Sequence, residues 1–237
     1  MNNLLLFEHE QQNENHFLVK DEERLDHLVN VLGKKNGDII NLCLLNQGLA
    51  QGLIKDISEN CVEIEVSERH PGKFFPIKLV VAVSRPPTMK KILEHGTSLG
   101  VSEFHFYRPE LTEKSFLEAK LFKEEQFKKH LEYGLSQSKV YFNLPKVISH
   151  KGLPDLENFK DDQRYLLKMD AGQNFNTKVP NLDKPLALVL GPERGLIPKE
   201  NQYFEQAGFT PIELVPSTLR VEIAAFSALS QLFLFQK

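Results

Sequence analysis

The sequence contains few of the residues that stabilise or equip several common classes of protein. It has only two cysteines, Cys43 and Cys61, and both lie within apolar, strand-like segments. Cysteines in such segments are typical of small core residues, and a disulfide or a metal ligand is the less favoured interpretation. The eight histidines have no paired spacing such as H-E-x-x-H, so we predict no bound metal.

Long apolar runs, repeats and low-complexity tracts are also missing. The apolar run in MNNLLLFEHE is too short, and carries the wrong charge, for a secretory signal. The apolar C-terminal stretch contains Arg220, Glu222 and Gln231, which indicates a buried helix and not a membrane span. The 13 glycines and 13 prolines are spread along the chain. We therefore expect a globular cytoplasmic protein with no membrane partner.

A strong excess of positive charge, which many nucleic-acid-binding proteins carry, is absent as well. The formal net charge is -3. Lysines and arginines nevertheless occur in local groups, for example Lys34 with Lys35. Such groups line phosphate tracks in some proteins and are ordinary solvated surface in others. Charge alone therefore leaves nucleic-acid binding open.

The first part of the chain reads as a small β-rich domain. Residues 21–32 are predicted to form an amphipathic helix, with Asp21 as its N-cap and Gly33 as its C-cap. Three β-rich runs then predict a meander or barrel, and they cover 38–45, 49–57 and 61–66. We assign residues 1–68 to this domain and residues 69–76, with two prolines and a glycine, to a linker.

In the second part, residues 77–237, apolar strands alternate with helices. The predicted strands are 77–84, 103–107, 164–169, 186–191 and 211–215, and the predicted helices include 86–99 and 113–137. This alternation predicts an α/β fold with a parallel sheet that is covered on both faces. Ligands bind such sheets beyond the C-terminal ends of the strands.

Two loops follow strands at that edge and have the composition of ligand-binding loops. LALVLGPERGLIPKE, from Leu186, is an apolar strand that ends in a glycine-bearing loop before a polar helix start. ELVPSTLRVEIAAFSALSQL, from Glu213, repeats the design. Gly191 and Gly195 permit positive φ and close approach of a ligand to the backbone. Neither the G-x-G-x-x-G spacing nor a G-K-[ST] ending is present, so neither nucleotide motif is satisfied.

Together, GPERGL and LRVEIAAFSAL resemble the corresponding motifs of the RsmE-type 16S ribosomal RNA uridine N3 methyltransferases, which belong to the SPOUT superfamily. The resemblance extends to SRPPTMKKILEHGTSLGVSEFHFYRPELTEKS and, near the N-terminus, to HLVNVLGKKNGDIINL. It implies a SPOUT-type parallel sheet with a C-terminal trefoil knot, preceded by a PUA-like RNA-binding barrel domain. It also implies S-adenosylmethionine as the cofactor, ribosomal RNA in the small subunit as the partner, and a homodimer.

The same resemblance assigns roles to individual residues. The expected cofactor-binding residues are Leu167, Leu190, Gly191, Pro192, Glu193, Gly195, Leu196, Val215, Ser217, Leu219 and Arg220. The expected RNA-binding residues are Lys34, Lys35, Arg85 and Lys139. Arg220 is the candidate for stabilising the uridine anion, because a guanidinium stays charged and offers several donors. Glu222 either receives the imide proton or positions Arg220, or serves as a capping or ion-pairing residue. We expect Glu193 to accept backbone N–H bonds within its loop.

Several positions depart from the family pattern. Arg194 replaces the second loop glycine, Val221 and Ile223 replace two threonines, and Gly33 stands where an arginine is usual. Two alternatives to the uridine N3 methyltransferase therefore stay open. One is an RNA-binding protein that keeps the fold without efficient catalysis, and the other is a SPOUT methyltransferase with a different RNA target. The small residues of the final helix, Ala224 to Ala228, suit either a dimer interface or internal packing.

Overall fold

The chain folds into two compact units, and residues 135–144 belong to the first unit although the second unit surrounds them in the sequence. The computed structural model describes residues 3–116, 119–122 and 124–235. One unit comprises Met1–Phe74 and Leu135–Leu144, and the other comprises Phe75–Gly134 and Pro145–Lys237. The boundary between Phe74 and Phe75 lies inside the segment predicted as a linker. The return of 135–144 to the first unit was not predicted.

The first unit contains a six-stranded sheet and a short helix. Its elements are β1 (Leu4–Leu6), β2 (Gln11–Asn13), β3 (His16–Val19), α1 (Glu22–Asp26), β4 (Ile39–Leu44), β5 (Gly48–Ile57) and β6 (Val62–His70). The strand order is β1-β4-β5-β6-β3-β2, and β1 pairs with β4 in parallel while the other pairs are antiparallel. The three predicted β-rich runs are β4, β5 and β6. Strands β1, β2 and β3 were not predicted.

Asp21 is the N-cap as predicted, whereas the C-cap of this distorted helix is Leu32 and Gly33 is the next residue. The Asp21 side chain accepts a hydrogen bond from the Arg24 N–H at 2.9 Å. Beyond α1 the chain continues as a π-helical turn over His27–Val31, and Gly33 follows with φ of 62°. Glycine suits this position because a Cβ disfavours the left-handed conformation.

Residues 135–144 complete the first unit. Leu135 is fully buried and packs in a cluster with Leu5 and Cys43, and partly buried Phe142 and Leu144 pack against the same cluster. Burial raises the pKa of the Cys43 thiol to about 12, as expected for a core cysteine. These apolar contacts explain why the segment belongs to this unit and not to the one that surrounds it in the sequence.

The second unit is an α/β layer structure, as predicted. Its elements are β7 (Ile77–Ala82), α2 (Pro86–Ser98), β8 (Glu103–Tyr107), α3 (Glu124–Gln137), β9 (Lys146–Ser149), β10 (Gln163–Leu167), β11 (Leu186–Leu190), α4 (Pro198–Gln206), β12 (Thr210–Ile212) and α5 (Val221–Leu232). The end of α3, from Leu135, belongs to the first unit. All strand pairs are parallel, in the order β12-β10-β11-β7-β8-β9. Every residue of β11 is buried, which is typical of a central strand covered on both faces.

The prediction of one helix over 113–137 is wrong for its first half. Lys114–Phe116 and Lys120–Phe122 form short 3-10 turns, and α3 begins at Glu124. In this stretch the Ser115 hydroxyl donates to the Glu113 carboxylate at 2.8 Å. Positions 117, 118 and 123 of the predicted helix lie outside the described residues. Strand β9 was not predicted.

Candidate active site

The C-terminal ends of three neighbouring strands bring the predicted pocket residues together. In the sheet, β10 lies between β11 and β12. Leu166 is paired with Val189 of β11, and Leu167 is paired with Ile212 of β12. The loops that begin at Gly191 and at Glu213 therefore leave the same edge of the sheet, on either side of Leu167. This is the edge at which parallel sheets bind ligands.

The loop after β11 is closed by a tight turn. The Gly195 N–H donates to the Pro192 carbonyl at 2.8 Å, and Gly195 has a φ of 74°. A side chain on Gly191 would place its Cβ 3.1 Å from Leu196 Cγ, so the two ends of the turn are in close contact. Glycine therefore allows the positive φ at Gly195 and the close contact with Leu196 at Gly191.

Glu193 has a partner other than the expected one. Its Oε2 lies 3.3 Å from Nη2 of Arg85, at the start of α2, and both side chains are exposed. Among the described residues no backbone N–H donates to Glu193. An exposed pair contributes little stability, and Arg85 is a predicted RNA-binding residue, so an incoming phosphate can compete for this guanidinium.

The loop after β12 leaves most of its donors unused. The Glu213 N–H donates to the Gln173 carbonyl at 2.9 Å. In the part of the chain that the structure describes, the N–H groups of Leu214, Val215, Ser217, Thr218 and Leu219 have no intramolecular acceptor. Arg220 is the exposed N-cap residue of α5, and its guanidinium has no partner among the described side chains.

Glu222 is held by a cation that sequence reasoning did not assign to the site. Its side chain is 8% exposed, and its Oε1 lies 3.6 Å from Nζ of Lys91 on α2. Helices α2 and α5 pack together, which places Lys91 over the first turn of α5. The structure thus shows the ion-pairing alternative for Glu222, and a carboxylate two residues from Arg220. The spacing of the motif around Glu222 gave no signal for Lys91.

Tyr107 and Glu200 are two further residues that the sequence did not single out. The Tyr107 hydroxyl is fully buried and donates to the Leu190 carbonyl at 2.9 Å. Burial, and then the nearby charge of Glu200, raises the pKa of Tyr107. Glu200 accepts hydrogen bonds from two backbone N–H groups, those of Ile197 and Glu110. The only sequence signal for Glu200 was its position three residues after Ile197, which is the spacing of a capping box.

The composition of this edge suits a ligand with an apolar ring and several polar groups. Leu167 and Leu196 supply half-buried apolar side chains, and Leu190, which is 2% exposed, brings its backbone to the same edge. The free N–H groups of the second loop offer hydrogen-bond donors without a side-chain charge. Adenine and the amino-acid end of S-adenosylmethionine need such an environment, so the residues present fit that cofactor.

The predicted RNA-binding residues are divided between the two units. Lys34, Lys35 and Lys139 belong to the first unit, and Arg85 belongs to the second. Lys35 and Lys139 are exposed and Lys34 is half-buried. The Lys34 N–H donates to the Leu28 carbonyl, and the Lys35 N–H donates to Asp38 Oδ2. These backbone bonds fix the two residues and leave their ammonium groups available.

Two general features concern cofactors and membranes. The described residues contain no group of three or more His, Cys, Asp or Glu side chains arranged to hold a metal ion. No helix among them is long and apolar enough to cross a bilayer. In α5, Ala225 and Ala228 are fully buried within the chain, so at least part of its small-residue face serves internal packing.

The sequence matches one family along most of its length. The family described as RNA methyltransferase domain matches residues 71–233. Ribosomal RNA small subunit methyltransferase E 1 of Borreliella burgdorferi is 27% identical over 211 residues, which cover 88% of this chain and 88% of that relative. Ribosomal RNA small subunit methyltransferase E of Aquifex aeolicus is 31% identical over 186 residues, or 76% of this chain and 77% of the relative.

Solved structures share the whole architecture. A ribosomal RNA small subunit methyltransferase E from Neisseria gonorrhoeae, bound to S-adenosylmethionine, aligns with a TM-score of 0.77 at 16% identity and covers 98% of this chain and 96% of its own. A putative methyltransferase of Legionella pneumophila, in complex with the same cofactor, aligns with a TM-score of 0.75 at 20% identity and covers 98% and 97% of the two chains. At these identities the similarity establishes the fold.

Proposed function

Because the chain belongs to the RNA methyltransferase family that includes the ribosomal RNA small subunit methyltransferases E, we propose that it methylates N3 of a uridine in 16S ribosomal RNA, with S-adenosylmethionine as methyl donor. The family membership gives the reaction class and the cofactor. The strand-end loops and Arg220 give the chain its own means of performing the reaction.

The finer features of the family complete the proposal. The second unit would carry the trefoil knot around the loops that follow β11 and β12. The first unit would be the PUA-like RNA-binding domain, with Lys34, Lys35 and Lys139 as phosphate contacts. The enzyme would act as a homodimer on the small ribosomal subunit, in the cytoplasm where ribosomes are assembled.

The proposed cofactor contacts come from backbone and apolar groups. The carbonyl and N–H groups from Leu190 to Leu196 and from Val215 to Leu219 would hold the polar ends of S-adenosylmethionine, and Leu167 would cover the adenine. The sulfonium of the cofactor supplies an activated methyl group, so the reaction requires no metal. The task of these loops is to place the acceptor nitrogen in line with that methyl group.

The chemistry at the uridine requires charge stabilisation. Removal of the N3 imide proton spreads negative charge to O2 and O4, and a fixed cation beside those oxygens lowers the barrier. Arg220 can do this because it lies between the second loop and α5 and its guanidinium is not engaged elsewhere in the described part of the chain. Arginine cannot accept the proton. Glu222 is the nearest carboxylate in sequence that can do so, while Lys91 balances its charge.

The observation that carries the proposal is the pair of loops at one sheet edge, where backbone donors and the Arg220 guanidinium have no partner among the residues that the structure describes. Two measurements test it. Titration calorimetry with S-adenosylmethionine, with and without a chelator, should show the same binding in both. Small-subunit particles incubated with protein and cofactor should then yield 3-methyluridine by nucleoside mass spectrometry. Cofactor binding with methylation of another nucleotide would favour the different-target alternative, and RNA binding without any methyl transfer would favour the non-catalytic one.

A further inference from the structure

The loop from Gly191 to Ile197 is held at both ends by buried side chains that lie outside it. At its start, the Tyr107 hydroxyl donates to the carbonyl of Leu190 at 2.9 Å. At its end, Glu200 accepts from the Ile197 N–H at 3.0 Å through Oε2 and from the Glu110 N–H at 2.7 Å through Oε1. Tyr107 ends β8 and Glu110 follows it closely. Both ends of the loop are therefore tied to the C-terminal end of β8.

Asn201 Nδ2 also donates to the Leu196 and Ile197 carbonyls at 3.1 and 3.3 Å, so Glu200 shares the C-terminal end of the loop with this amide. The loop has little structure of its own to replace these ties. Among the described residues, the Gly195 N–H to Pro192 carbonyl bond is the only main-chain hydrogen bond formed within it. Glu193, Arg194 and Gly195 at its tip are exposed. A segment with so few internal bonds samples several conformations unless its ends are fixed.

The hydroxyl of Tyr107 is not needed to fill the core. The ring packs edge-on against Phe204 of α4, with centroids 5.8 Å apart, and a phenylalanine ring would make the same contact. What the hydroxyl adds is one directed bond to the last residue before the loop. Glu200 likewise is 4% exposed and directs both carboxylate oxygens at backbone N–H groups. Buried polar groups of this kind fix geometry because leaving them unpaired is costly.

We propose that Tyr107 and Glu200 form a clamp that holds the Gly191–Ile197 loop in its cofactor-binding shape. They are positioning residues, since they reach the loop backbone and not the reacting atoms. This inference rests on the proposed function in one respect, the identity of the loop's ligand as S-adenosylmethionine. The clamp acts by keeping the binding-competent loop populated before the cofactor arrives, because apparent affinity falls in proportion to that population.

Tyr107→Phe is the direct test, with Tyr203→Phe as its matched control. Tyr203 lies on α4, and its hydroxyl donates at 2.9 Å to the carbonyl of Pro154, which is not part of the loop. Each variant loses one hydroxyl and one hydrogen bond to a carbonyl. We expect Tyr107→Phe to bind S-adenosylmethionine about five- to tenfold more weakly, the equivalent of one typical hydrogen bond. Tyr203→Phe should keep wild-type affinity at temperatures well below unfolding.

Hydrogen exchange without cofactor provides a second readout that does not depend on the ligand. The N–H groups of Gly195 and Ile197 are bonded in the clamped loop and should exchange faster in Tyr107→Phe than in Tyr203→Phe. Glu200→Gln should have the same effect, because the two N–H groups point at different carboxylate oxygens and an amide has only one oxygen, its NH2 being a donor. This second variant also carries the test if Tyr107→Phe does not fold.

The outcomes separate the clamp from the proposed function. Unchanged exchange at Gly195 and Ile197 in the folded clamp variants, or equal cofactor affinity in the Tyr107 and Tyr203 variants, overturns the clamp. A wild-type protein that binds no S-adenosylmethionine contradicts the proposed function, while the exchange experiment still decides whether the clamp orders the loop. Faster exchange together with weaker binding in both clamp variants supports the inference.

Discussion

Arg220 differs from the other cations near the candidate site because it is not engaged. Arg85 pairs with Glu193 and Lys91 pairs with Glu222, whereas the Arg220 guanidinium has no partner in the described part of the chain. An arginine in this state costs little to redirect toward a ligand. Its value should therefore appear mainly in the transition state, where the uridine carries negative charge.

We expect Arg220→Ala to lower the methyl-transfer rate about 10²- to 10³-fold, the usual cost of removing one transition-state donor. Affinity for S-adenosylmethionine should change far less. Arg220→Lys should recover only part of the rate, because an ammonium keeps the charge and loses the planar fork of donors. Single-turnover methyl transfer to small-subunit particles, together with cofactor titration, measures both quantities. Equal losses in affinity and rate would make Arg220 a pocket-forming residue.

The Lys91–Glu222 pair permits a separate test of the carboxylate. Glu222→Gln keeps the size of the side chain and removes its ability to accept a proton, so the single-turnover rate should fall at least tenfold if Glu222 is the base. Lys91→Met removes the partner and leaves the carboxylate in place, and it should have a much smaller effect. Similar small losses in both variants would instead show that Glu222 serves only the contact between α2 and α5.

At the scale of elements, two histidines join the edge strand β9 to β8. His105 is 1% exposed, and its Nδ1 lies 3.1 Å from Nε2 of His150, which follows β9. His105 Nε2 lies 3.2 Å from the Glu103 carboxylate. Burial lowers the pKa of both imidazoles below the ordinary 6.5. If both rings were protonated, two N–H donors would face each other across the short contact.

Acid should therefore weaken the folded state through this pair. The lowered pKa values mean that the unfolded chain binds more protons below about pH 6.5. The contribution of the two histidines to the free energy of unfolding should be fully present above that pH. It should be lost as the pH falls below it. Nearby Asp162 acts in the opposite direction, because burial raises its pKa above 3.8 although Lys78 pairs with it. Acidification through the pKa of Asp162 therefore stabilises the native state of the protein relative to the unfolded chain.

A variant comparison isolates the histidine contribution. Urea unfolding at pH 7.5 and pH 5.5 should show a smaller loss of stability in His105→Gln than in the wild type. His27→Gln, at an exposed position in the first unit, should keep the wild-type pH dependence. The charges around the histidine pair are unchanged in both variants, so their contributions largely cancel; they are Asp155 near His150, Glu103 and Lys78 near His105, and Asp162 beside Lys78. An undiminished pH dependence in His105→Gln would show that the pair does not control acid stability.

The sequence predicted elements better than contacts between them. The strand and helix alternation of residues 77–237 was enough for a parallel sheet, because buried parallel strands read as continuous apolar runs. The loop after Leu190 was recognisable from its glycines and family motif, and the loop after Ile212 from its family motif. Tyr107 and Lys91 could not be recognised, because each lies on an element that is far from the two loops in sequence. Rules on residue spacing apply only to neighbours within one element. Strands β1, β2, β3 and β9 were missed because strands of three or four residues are too short to show a period.

At the scale of the whole molecule, the segment 135–144 limits where the chain can be cut into fragments that fold. It contributes main-chain bonds as well as apolar side chains to the first unit. The Asn3 N–H donates to the Ser136 carbonyl at 2.7 Å, and the Asn46 N–H donates to the Phe142 carbonyl at 2.9 Å. A fragment of residues 1–74 lacks these partners and leaves the Leu5 and Cys43 cluster uncovered.

We expect the fragment 1–74 alone to lack a cooperative thermal transition by circular dichroism. Addition of a synthetic peptide of residues 135–144 should restore one, because it supplies the missing bonds and apolar cover. A peptide with Leu135→Asp and Phe142→Asp provides the control and should not restore it. A cooperative transition in the fragment without any peptide would show that the segment is dispensable. The proposed homodimer is accordingly best examined by light scattering on the full chain.

The order in which the segments of the two units are synthesised also determines when the first unit can complete its fold on the ribosome. The first unit is unfinished when residue 74 has been made, and its last segment ends at residue 144, 70 residues later. At typical rates of synthesis this is a delay of roughly 4 to 14 s. During that interval the apolar residues of the first unit lack the cover that residues 135–144 provide. The protein is thus a candidate client for chaperones that bind at the ribosome, the particle on which we propose it later acts.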